Sequence, residues 1–534
     1  MRNEFTAFAI TSLIVTGLVS YFVSSSCLWA LVVLGPILIL GFYDMSQKSH
    51  AIMRNFPILG RGRYFMEKLR PGVQQYFIEK DTEGAPISRI DRNVVYRRAK
   101  MVTDTTPFGT QLDVYNEGYE WVNHSIAALD AHDLTQDPRV NVGNKDCANP
   151  YDCAMLNVSA MSYGSLSKTA IQALNGGAKL GNFAHNTGEG GISPYHLEPG
   201  GDLIYQIGTG YFGSRTADGN FSWENFAKRA AEPTVKMIEL KLSQGAKPGH
   251  GGILPAKKNT AEIAKIRGVE PGVAVLSPPF HKAFKTPRGL VEMIARMKEI
   301  SGKPCGFKLC VGRKGEFLSI CKAMVELDQY PDFISVDGGE GGTGAAPAEF
   351  SDSVGMPFRE GLAFVYDALV GFGIKKHIKI IASGKIMTSF HVFRAIALGA
   401  DATYSARAMM LAIGCIQALE CNSNHCPTGV ATQDPEFYVG LVPSDKKVRV
   451  ANFQNETIKN FVELMAAAGI SSVHEINRTH IYRRVTMNTI KRYDEIFPYL
   501  TEGCLLDKAT IPEGWSHYMM ESSADSFSIN LQLN

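Results

Sequence analysis

Three of the chain's ten cysteines, Cys415, Cys421 and Cys426, fall within twelve positions of the stretch GCIQALECNSNHCPTGVATQDP. Cysteine is a common small core residue, so neighbouring thiols need not act together. This stretch also holds Pro427, Gly429 and several Asn and Ser residues. That is the composition of a loop, where core cysteines have little reason to gather, so a ligand loop is the better reading. Disulfides need an oxidising compartment and usually serve small, core-poor domains, whereas 534 residues suffice for two or more ordinary domains. Structural zinc usually takes four protein ligands, often in CxxC pairs, and the spacing C-x5-C-x4-C contains no such pair. An iron–sulfur cluster remains, because thiolates bind irons and a loop can wrap a cuboidal cluster with its amides facing the sulfides. Three cysteines without an evident fourth point to a three-iron cluster, with His425 read as a solvent-facing loop residue rather than a ligand.

Something rigid must hold such a loop. Between roughly residues 150 and 410, short apolar or β-branched runs alternate with helical patterns, the spacing of repeated βα units. Eight runs read as strands: MLNVSA (155–160), FAHNT (183–187), LIYQIG (203–208), KMIELKLS (236–243), CGFKLCV (305–311), FISVD (333–337), IKIIAS (378–383) and ATYSA (402–406). Eight parallel strands predict an α/β fold of the (β/α)8 TIM-barrel type, with the cysteine loop after the last strand.

Barrel enzymes build their sites on the loops at the strand C-terminal ends. Here those loops read MSYGS, GEGG, GTGYFG, QGAKPGHGG, DGGEGGTGAAP and SGKI. A single glycine-rich turn usually only reverses the chain, but six on one face suggest backbone amides approaching an anion. The last loops, around Gly384 and the Arg407 of YSARAMM, follow strands seven and eight, where barrels commonly bind phosphate, so a phosphate-bearing cofactor is expected. Lys308 lies inside the apolar strand CGFKLCV, where an ammonium is costly unless it faces an anion. Beside a flavin it would stabilise negative charge on the reduced ring. Glu189 and His250 are ionisable groups on the same face, each readable as a proton donor or as a loop hydrogen bonder.

The N-terminus poses a different solvent problem, because no charged residue occurs between Glu4 and Asp44. Phe5 to Val23 and Cys27 to Tyr43 read as two membrane spans joined by the turn SSS, each near the ~20 residues needed to cross the hydrocarbon. Lys48, Arg54, Arg61, Arg63, Lys68 and Arg70 follow, and the positive-inside rule keeps that side, and the catalytic domain, on the cytoplasmic face. A cleaved signal peptide fits less well, with one basic residue in its n-region and a second apolar run at once. A net charge of +2 implies no general polyanion partner, so nucleic-acid binding has no support, and 45% hydrophobic residues allow a large core.

The motifs SAMSYGSLS, HNTGEGG, KLSQGAKPGHGG, DGGEGGTGAAP and GCIQALECNSNHCPTGVATQ together closely resemble the FMN-binding synthase domain of glutamate synthase, over about residues 150 to 435. The resemblance implies FMN on the barrel face and a [3Fe-4S] cluster on Cys415, Cys421 and Cys426 that passes electrons to the flavin. It implies that 2-oxoglutarate and ammonia form 2-iminoglutarate, which takes a hydride from the flavin to give L-glutamate. Carried over by motif, Ala160, Met161 and Ser162 would line the flavin. Gln206, Lys308, Gly341, Gly342, Thr343, Gly384, Ala406 and Arg407 would contact its ring or phosphate, and Lys308, Glu189 and His250 are the catalytic candidates.

The departures from that family bear on substrate. No N-terminal cysteine nucleophile or glutaminase domain precedes the barrel, so by itself the chain is not expected to release ammonia from glutamine. No glycine-repeat β-helix follows it, and Ile458, Phe461, Val462 and Met465 mark an amphipathic helix ending at Gly469 instead. His250 stands where the synthases carry glutamate, and Tyr211 replaces an arginine. Past Lys308 the chain reads CVGRKGEFLSICKAM, where Arg313 and Lys314 offer new positive charge for a carboxylate. The expected organisation is a transmembrane hairpin (1–45), a cytoplasmic segment packing on the barrel (46–150), the barrel with its cysteine loop (151–445) and a C-terminal helical extension (446–534). A glutamate synthase-type oxidoreductase is the preferred function. The same cofactors acting on another amine in a multi-subunit enzyme, or a membrane-associated electron relay, are the alternatives. No GxGxxG strand–turn–helix unit for a dinucleotide is read in the sequence, so a separate donor protein, ferredoxin-like or a reductase subunit, is expected to supply electrons.

Overall fold

The computed structural model describes residues 1–103 and 105–528, in two compact units, residues 1–89 and residues 90 onward. In the first unit, α1 (Arg2–Phe22) and α2 (Ala30–Ser46) form a hairpin through the turn Ser25–Trp29, where Ser24 Oγ accepts the Ser26 N–H at 3.3 Å. Arg2–Phe22 and Ser25–Ser46, the second helix taken with the turn before it, are long and apolar enough to cross a membrane, and most of their large side chains are exposed. They approach closely at Gly41, where a Cβ would lie 1.9 Å from the Phe5 ring. The second helix runs three residues beyond the predicted Tyr43. Asp44, fully buried, accepts from Arg61 Nη2 at 2.6 Å and from Ile58 N at 3.0 Å, so its charge does not end the helix.

The second unit is built on a closed parallel barrel of eight strands: β1 (Leu156–Val158), β2 (His185–Asn186), β3 (Leu203–Ile207), β4 (Val235–Lys241), β5 (Cys305–Cys310), β6 (Phe333–Asp337), β7 (Lys379–Ser383) and β8 (Ala402–Ser405). Each pairs with its sequence neighbours and β8 closes on β1, the predicted TIM barrel. All eight predicted runs carry a strand. The second is shorter than FAHNT suggests because the Thr187 hydroxyl, rather than a backbone carbonyl, takes the Gln206 N–H at 3.1 Å. The runs become strands because they are almost wholly buried, as parallel strands covered on both faces must be.

Helices cover the barrel, and their ends follow capping chemistry. In α3 (Lys168–Gly181), Ser167 Oγ takes the Ala170 N–H at 3.2 Å, and Asn182 stops the helix in the left-handed region at φ 55°. The long α4 (Pro443–Ala467) packs on α3 at Gly177, where a Cβ would fall 2.4 Å from Val450 Cβ. The four apolar residues predicted to mark this helix, Ile458, Phe461, Val462 and Met465, are all buried on its barrel side. An antiparallel sheet of Glu120–Val122, Ile481–Thr486 and Thr489–Arg492 ties the start of the unit to its end. There Glu120 accepts from Arg359, from Arg394 (2.6 Å), from Arg483 (3.0 Å) and from Tyr493 (2.7 Å).

Candidate functional site

Charge lies at the centre of the barrel. Glu239 of β4 is fully buried and accepts from Asn186 Nδ2 at 2.8 Å, from Gln206 Nε2 at 2.6 Å and from Ser335 Oγ, a satisfied network spanning four strands. One layer toward the strand C-termini, Lys308 Nζ of β5 meets Asp337 Oδ2 at the end of β6, 3.1 Å away. Burial opposes the ammonium, but Asp337 and Glu239 outweigh it and hold Lys308 above its ordinary pKa. Asp337 also accepts the Gly245 N–H at 3.0 Å, so one carboxylate fixes both the lysine and the loop after β4.

Several glycines in the loops above this layer have no room for a side chain. A Cβ on Gly245 would lie 2.0 Å from Gly338 O, and one on Gly341 would lie 3.0 Å from Gly245 Cα. A Cβ on Gly188 would meet Ser162 N at 2.6 Å, which brings the Met161–Ser162 backbone against the loop after β2, beside half-buried Ala160. Gly342 lies against the Arg407 side chain, Gly384 against Phe358, and the Thr343 hydroxyl accepts from Ala345 N at 3.4 Å. Ala406 caps the short helix Arg407–Ala412, and Arg407 Nη2 donates to Glu340 O at 2.8 Å. Burial and the nearby Arg407 both push Lys385 below the usual lysine range. Two partly buried cations at the tips of β7 and β8, beside close-packed backbone, fit a flavin phosphate.

A second charge cluster surrounds Glu189. Its Oε1 lies 2.9 Å from Lys241 Nζ, and the side chain fills the space that Gly208 and Gly252 leave open. Burial favours the neutral acid, but Lys241, Lys247 and Arg267 outweigh it and keep Glu189 ionised. Lys247 donates to Ala345 O at 2.7 Å, and burial, with Lys241 adding repulsion, lowers it to about 8. Arg267 donates to Ser162 Oγ at 3.4 Å and to Tyr163 O at 3.1 Å, and burial lowers it to about 10. Three cations thus share one carboxylate.

The remaining candidates lie around this cluster rather than in it. His250 bonds through Nδ1 to Gly251 O at 2.9 Å and meets the Phe350 ring edge-on. Tyr211 is fully buried, and its hydroxyl accepts from Ala283 N at 3.0 Å and meets His281 Nδ1 at 3.2 Å. Lys314 sits over the Phe364 and Tyr518 rings, 5.4 and 4.9 Å from their centroids, and Arg313 is exposed. A cleft of about 320 Å³ opens between the loop after β3 and residues 269–282, lined in part by Thr209, Phe212, Arg215 and Lys282.

Beyond Arg407–Ala412 the chain enters the cysteine loop, wound through left-handed residues at Gln417, Leu419 and Asn424. The loop is pinned by Tyr96 Oη donating to Cys415 O (2.7 Å), Ser167 Oγ to Gly429 O (2.6 Å) and Gln433 Nε2 to Leu166 O (2.7 Å). Burial, reinforced by Cys421 and Cys426, pushes the Cys415 thiol up to about 12. Among the described residues no three ligating side chains close on a single metal ion. Exposed His425 packs edge-on against Phe437, outside the thiol group. Buried Lys258 donates to Ser165 O (3.1 Å), Cys421 O (2.8 Å) and Ala431 O (2.7 Å). A fixed cation against the loop fits an anionic thiolate cluster.

Sequence reasoning missed Asp337, Glu239, Lys247, Arg267 and Lys258. Glu239 in VKMIELK carries the signal that singled out Lys308, a charge within an apolar strand. Lys258 carries none, because its three partners lie far from it along the chain. The conserved region in glutamate synthase matches residues 104–471 of this chain. The glutamate synthase large subunit-like protein YerD of Bacillus subtilis (strain 168) is 36% identical over 491 residues, 85% of this chain and 93% of that protein. The archaeal glutamate synthase (NADPH) of Methanocaldococcus jannaschii is 37% identical over 322 residues, and the match spans 60% of its length. A solved mandelate oxidase superposes over 74% of this chain and 99% of that one with a TM-score of 0.43 at 15% identity, a likeness too slight to assign anything. The match over residues 104–471, together with the likeness to YerD along most of both chains, places this chain in the glutamate synthase family.

Proposed function

We propose that this chain is a membrane-anchored oxidoreductase of glutamate synthase type, which reduces the imine of 2-oxoglutarate and ammonia to L-glutamate. The carrying observation is the surplus of buried positive charge on the barrel face, where Lys241, Lys247 and Arg267 share the single carboxylate of Glu189. Unpaired buried cations are costly, and a substrate carboxylate supplies one of the missing anions. When bound, FMN supplies the hydride and a [3Fe-4S] cluster supplies single electrons from a separate donor protein.

The chain's own residues divide the remaining work. Lys247, with one carbonyl partner, receives a substrate carboxylate, and Glu189, held ionised, orients Lys241 rather than donating a proton. Lys308, kept charged by Asp337 and Glu239, neutralises negative charge on a reduced flavin ring. Lys385 and Arg407 hold the phosphate, with Gly341, Gly342, Thr343, Gly384 and Ala406 giving close backbone approach. Ala160, Met161, Ser162 and Gln206 line the ring. Cys415, Cys421 and Cys426 ligate the irons, and the hairpin α1–α2 holds the enzyme on the cytoplasmic face of the membrane.

A second reading keeps the cofactors and changes the substrate to another amine or amino acid. It is favoured by Tyr211, which stands where the synthases carry arginine and whose hydroxyl is spent on Ala283 and His281. Anaerobic purification of the full chain in detergent, flavin and iron analysis, and photoreduction before substrate addition decide between them. Bound FMN with about three irons per chain, and reoxidation only when 2-oxoglutarate and ammonium are both present, supports the first reading. Cofactors present with a flavin that stays reduced overturns it in favour of the second.

A further inference from the structure

The helix Leu59–Val73, thirteen residues past the end of α2, carries apolar side chains that are left exposed among the described residues. Leu59, Phe65, Met66, Leu69 and Val73 are all exposed, Leu59 by 66% and Met66 by 63%. At 3.6 residues per turn these five share one arc of about 120°. Arg63 and Arg70 fall on one border of that arc, and Arg61 and Lys68 on the other. Glu67, paired with Arg63 at 3.0 Å, and Tyr64 lie on the opposite face. Apolar side chains continue past the helix, with Tyr76, Phe77 and Ile78 also exposed.

We propose that Leu59–Val73 lies in the plane of the membrane surface, its apolar arc in the acyl boundary and its flanking cations on anionic lipid headgroups. The proposal rests on the membrane reading of the hairpin and goes beyond it. Two features select lipid over other occupants. Cations on both borders of a narrow apolar arc complement a negatively charged interface. The Arg61 guanidinium also grips Asp44 in the last turn of α2, while Ile58 N donates to the same carboxylate, so the helix starts at the level where the second span ends. A 15-residue helix with Gly62, Gly72 and Pro71 inside it is marginal in water without a partner, so its order reports what covers it.

The test is amide hydrogen exchange of the full chain in nanodiscs of phosphatidylcholine alone and of phosphatidylcholine with phosphatidylserine. Exchange in residues 59–73 is expected to slow at least tenfold in the anionic discs, with most of that protection lost in 0.5 M salt. Arg63→Gln, Lys68→Gln and Arg70→Gln together remove three surface charges, each worth about fivefold in affinity, and abolish the difference between the two discs. Phe65→Ser with Leu69→Ser removes protection in both. Arg61 is left intact because it pairs with Asp44. Stable incorporation with equal exchange in both discs and in detergent overturns the proposal while the hairpin reading stands. Failure to incorporate overturns both. Protection in detergent that grows with protein concentration assigns the face to a second copy and overturns the lipid reading.

Discussion

Replacing Lys308 by methionine keeps most of the side-chain volume and removes the charge that faces Asp337. The two groups are 3.1 Å apart, with side chains 5% and 9% exposed. At an effective dielectric of about 20 that separation corresponds to about 5 kcal/mol of attraction, and breaking a buried pair by removing one partner costs about 3–5 kcal/mol. Asp337 keeps its bond from Gly245 N, which places the expected cost of Lys308→Met toward the lower end. For a unit of about 440 residues, unfolding entropy near 2.1 cal/mol/K per residue converts this to a fall in Tm of roughly 3–5 °C. Scanning calorimetry of the full chain in detergent, at one fixed scan rate, measures it. Adding Asp337→Asn removes the stranded charge while Asn still accepts from Gly245, so the double variant recovers to within about 1.5 °C. Flavin content separates function from folding: both variants lose charge stabilisation of the reduced ring, so a recovered Tm leaves photoreduction impaired. A Lys308→Met variant with an unchanged Tm, or a double variant no better than the single, refutes the claim that this pair holds the strand ends.

Gly245→Ala has no room, with its Cβ 2.0 Å from the backbone oxygen of Gly338; the loops after β4 and β6 must separate, and purified protein should carry under a tenth of the flavin of the parent. Substrate affinity should fall with rising pH through Lys247, whose folded pKa is about 8 against an ordinary 10.5. Charged below that pKa, it binds a carboxylate; above it, affinity for 2-oxoglutarate drops about tenfold per pH unit, and Lys247→Met flattens the profile measured by flavin reoxidation. The same shift makes the protein gain stability between about pH 8 and 10.5, because there the unfolded chain binds a proton the folded one does not. Cys421→Ser should remove the iron and leave the flavin, and Lys258→Met, which strips the donor from three carbonyls, should lower iron content without changing flavin content.

What could be read in advance divides along a physical line. Strands β1 to β8 were legible because a parallel strand buried on both faces must be a short apolar run, and nothing distant alters that. Lys308 was legible for the complementary reason, as a charge such a run cannot carry without a partner. The partner was not, because Asp337 ends its own strand with no local oddity, and only the parallel pairing of β5 with β6, Lys308 beside Ser335 and Cys310 beside Asp337, brings the carboxylate to the lysine. Helix α2 ran past its predicted end for the same kind of reason, since Asp44 reads as a stop until Arg61, seventeen residues on, is folded against it. The glycine loops announced close approach without saying to what. Their partner is one another: Gly245 meets Gly338 and Gly341, and Gly188 meets Ser162, contacts between loops that sequence lists far apart.

The substrate question reduces to where positive charge is left over. Arg313 and Lys314 promised a new carboxylate site past Lys308, but Lys314 sits over two aromatic rings and Arg313 is exposed, so neither adds charge to the cluster around Glu189. Tyr211 adds none either, and the hydroxyl it offers is already bonded. Arg267 is enclosed by Ser162, Tyr163 and the Phe212 ring, 5.1 Å away. Lys241 is committed to Glu189. Of the cations around Glu189, Lys247 has the Ala345 carbonyl as its hydrogen-bond partner, whereas Arg267 has Ser162 Oγ, Tyr163 O and the Phe212 ring. On the proposed reading one substrate carboxylate therefore binds at Lys247, and a second carboxylate must be received by residues outside this cluster. Substrates with one carboxylate and an amine or imine beside it then test the two readings directly. If such a compound reoxidises the reduced flavin as fast as 2-oxoglutarate with ammonium does, the second carboxylate has no receptor here and the dicarboxylate assignment fails.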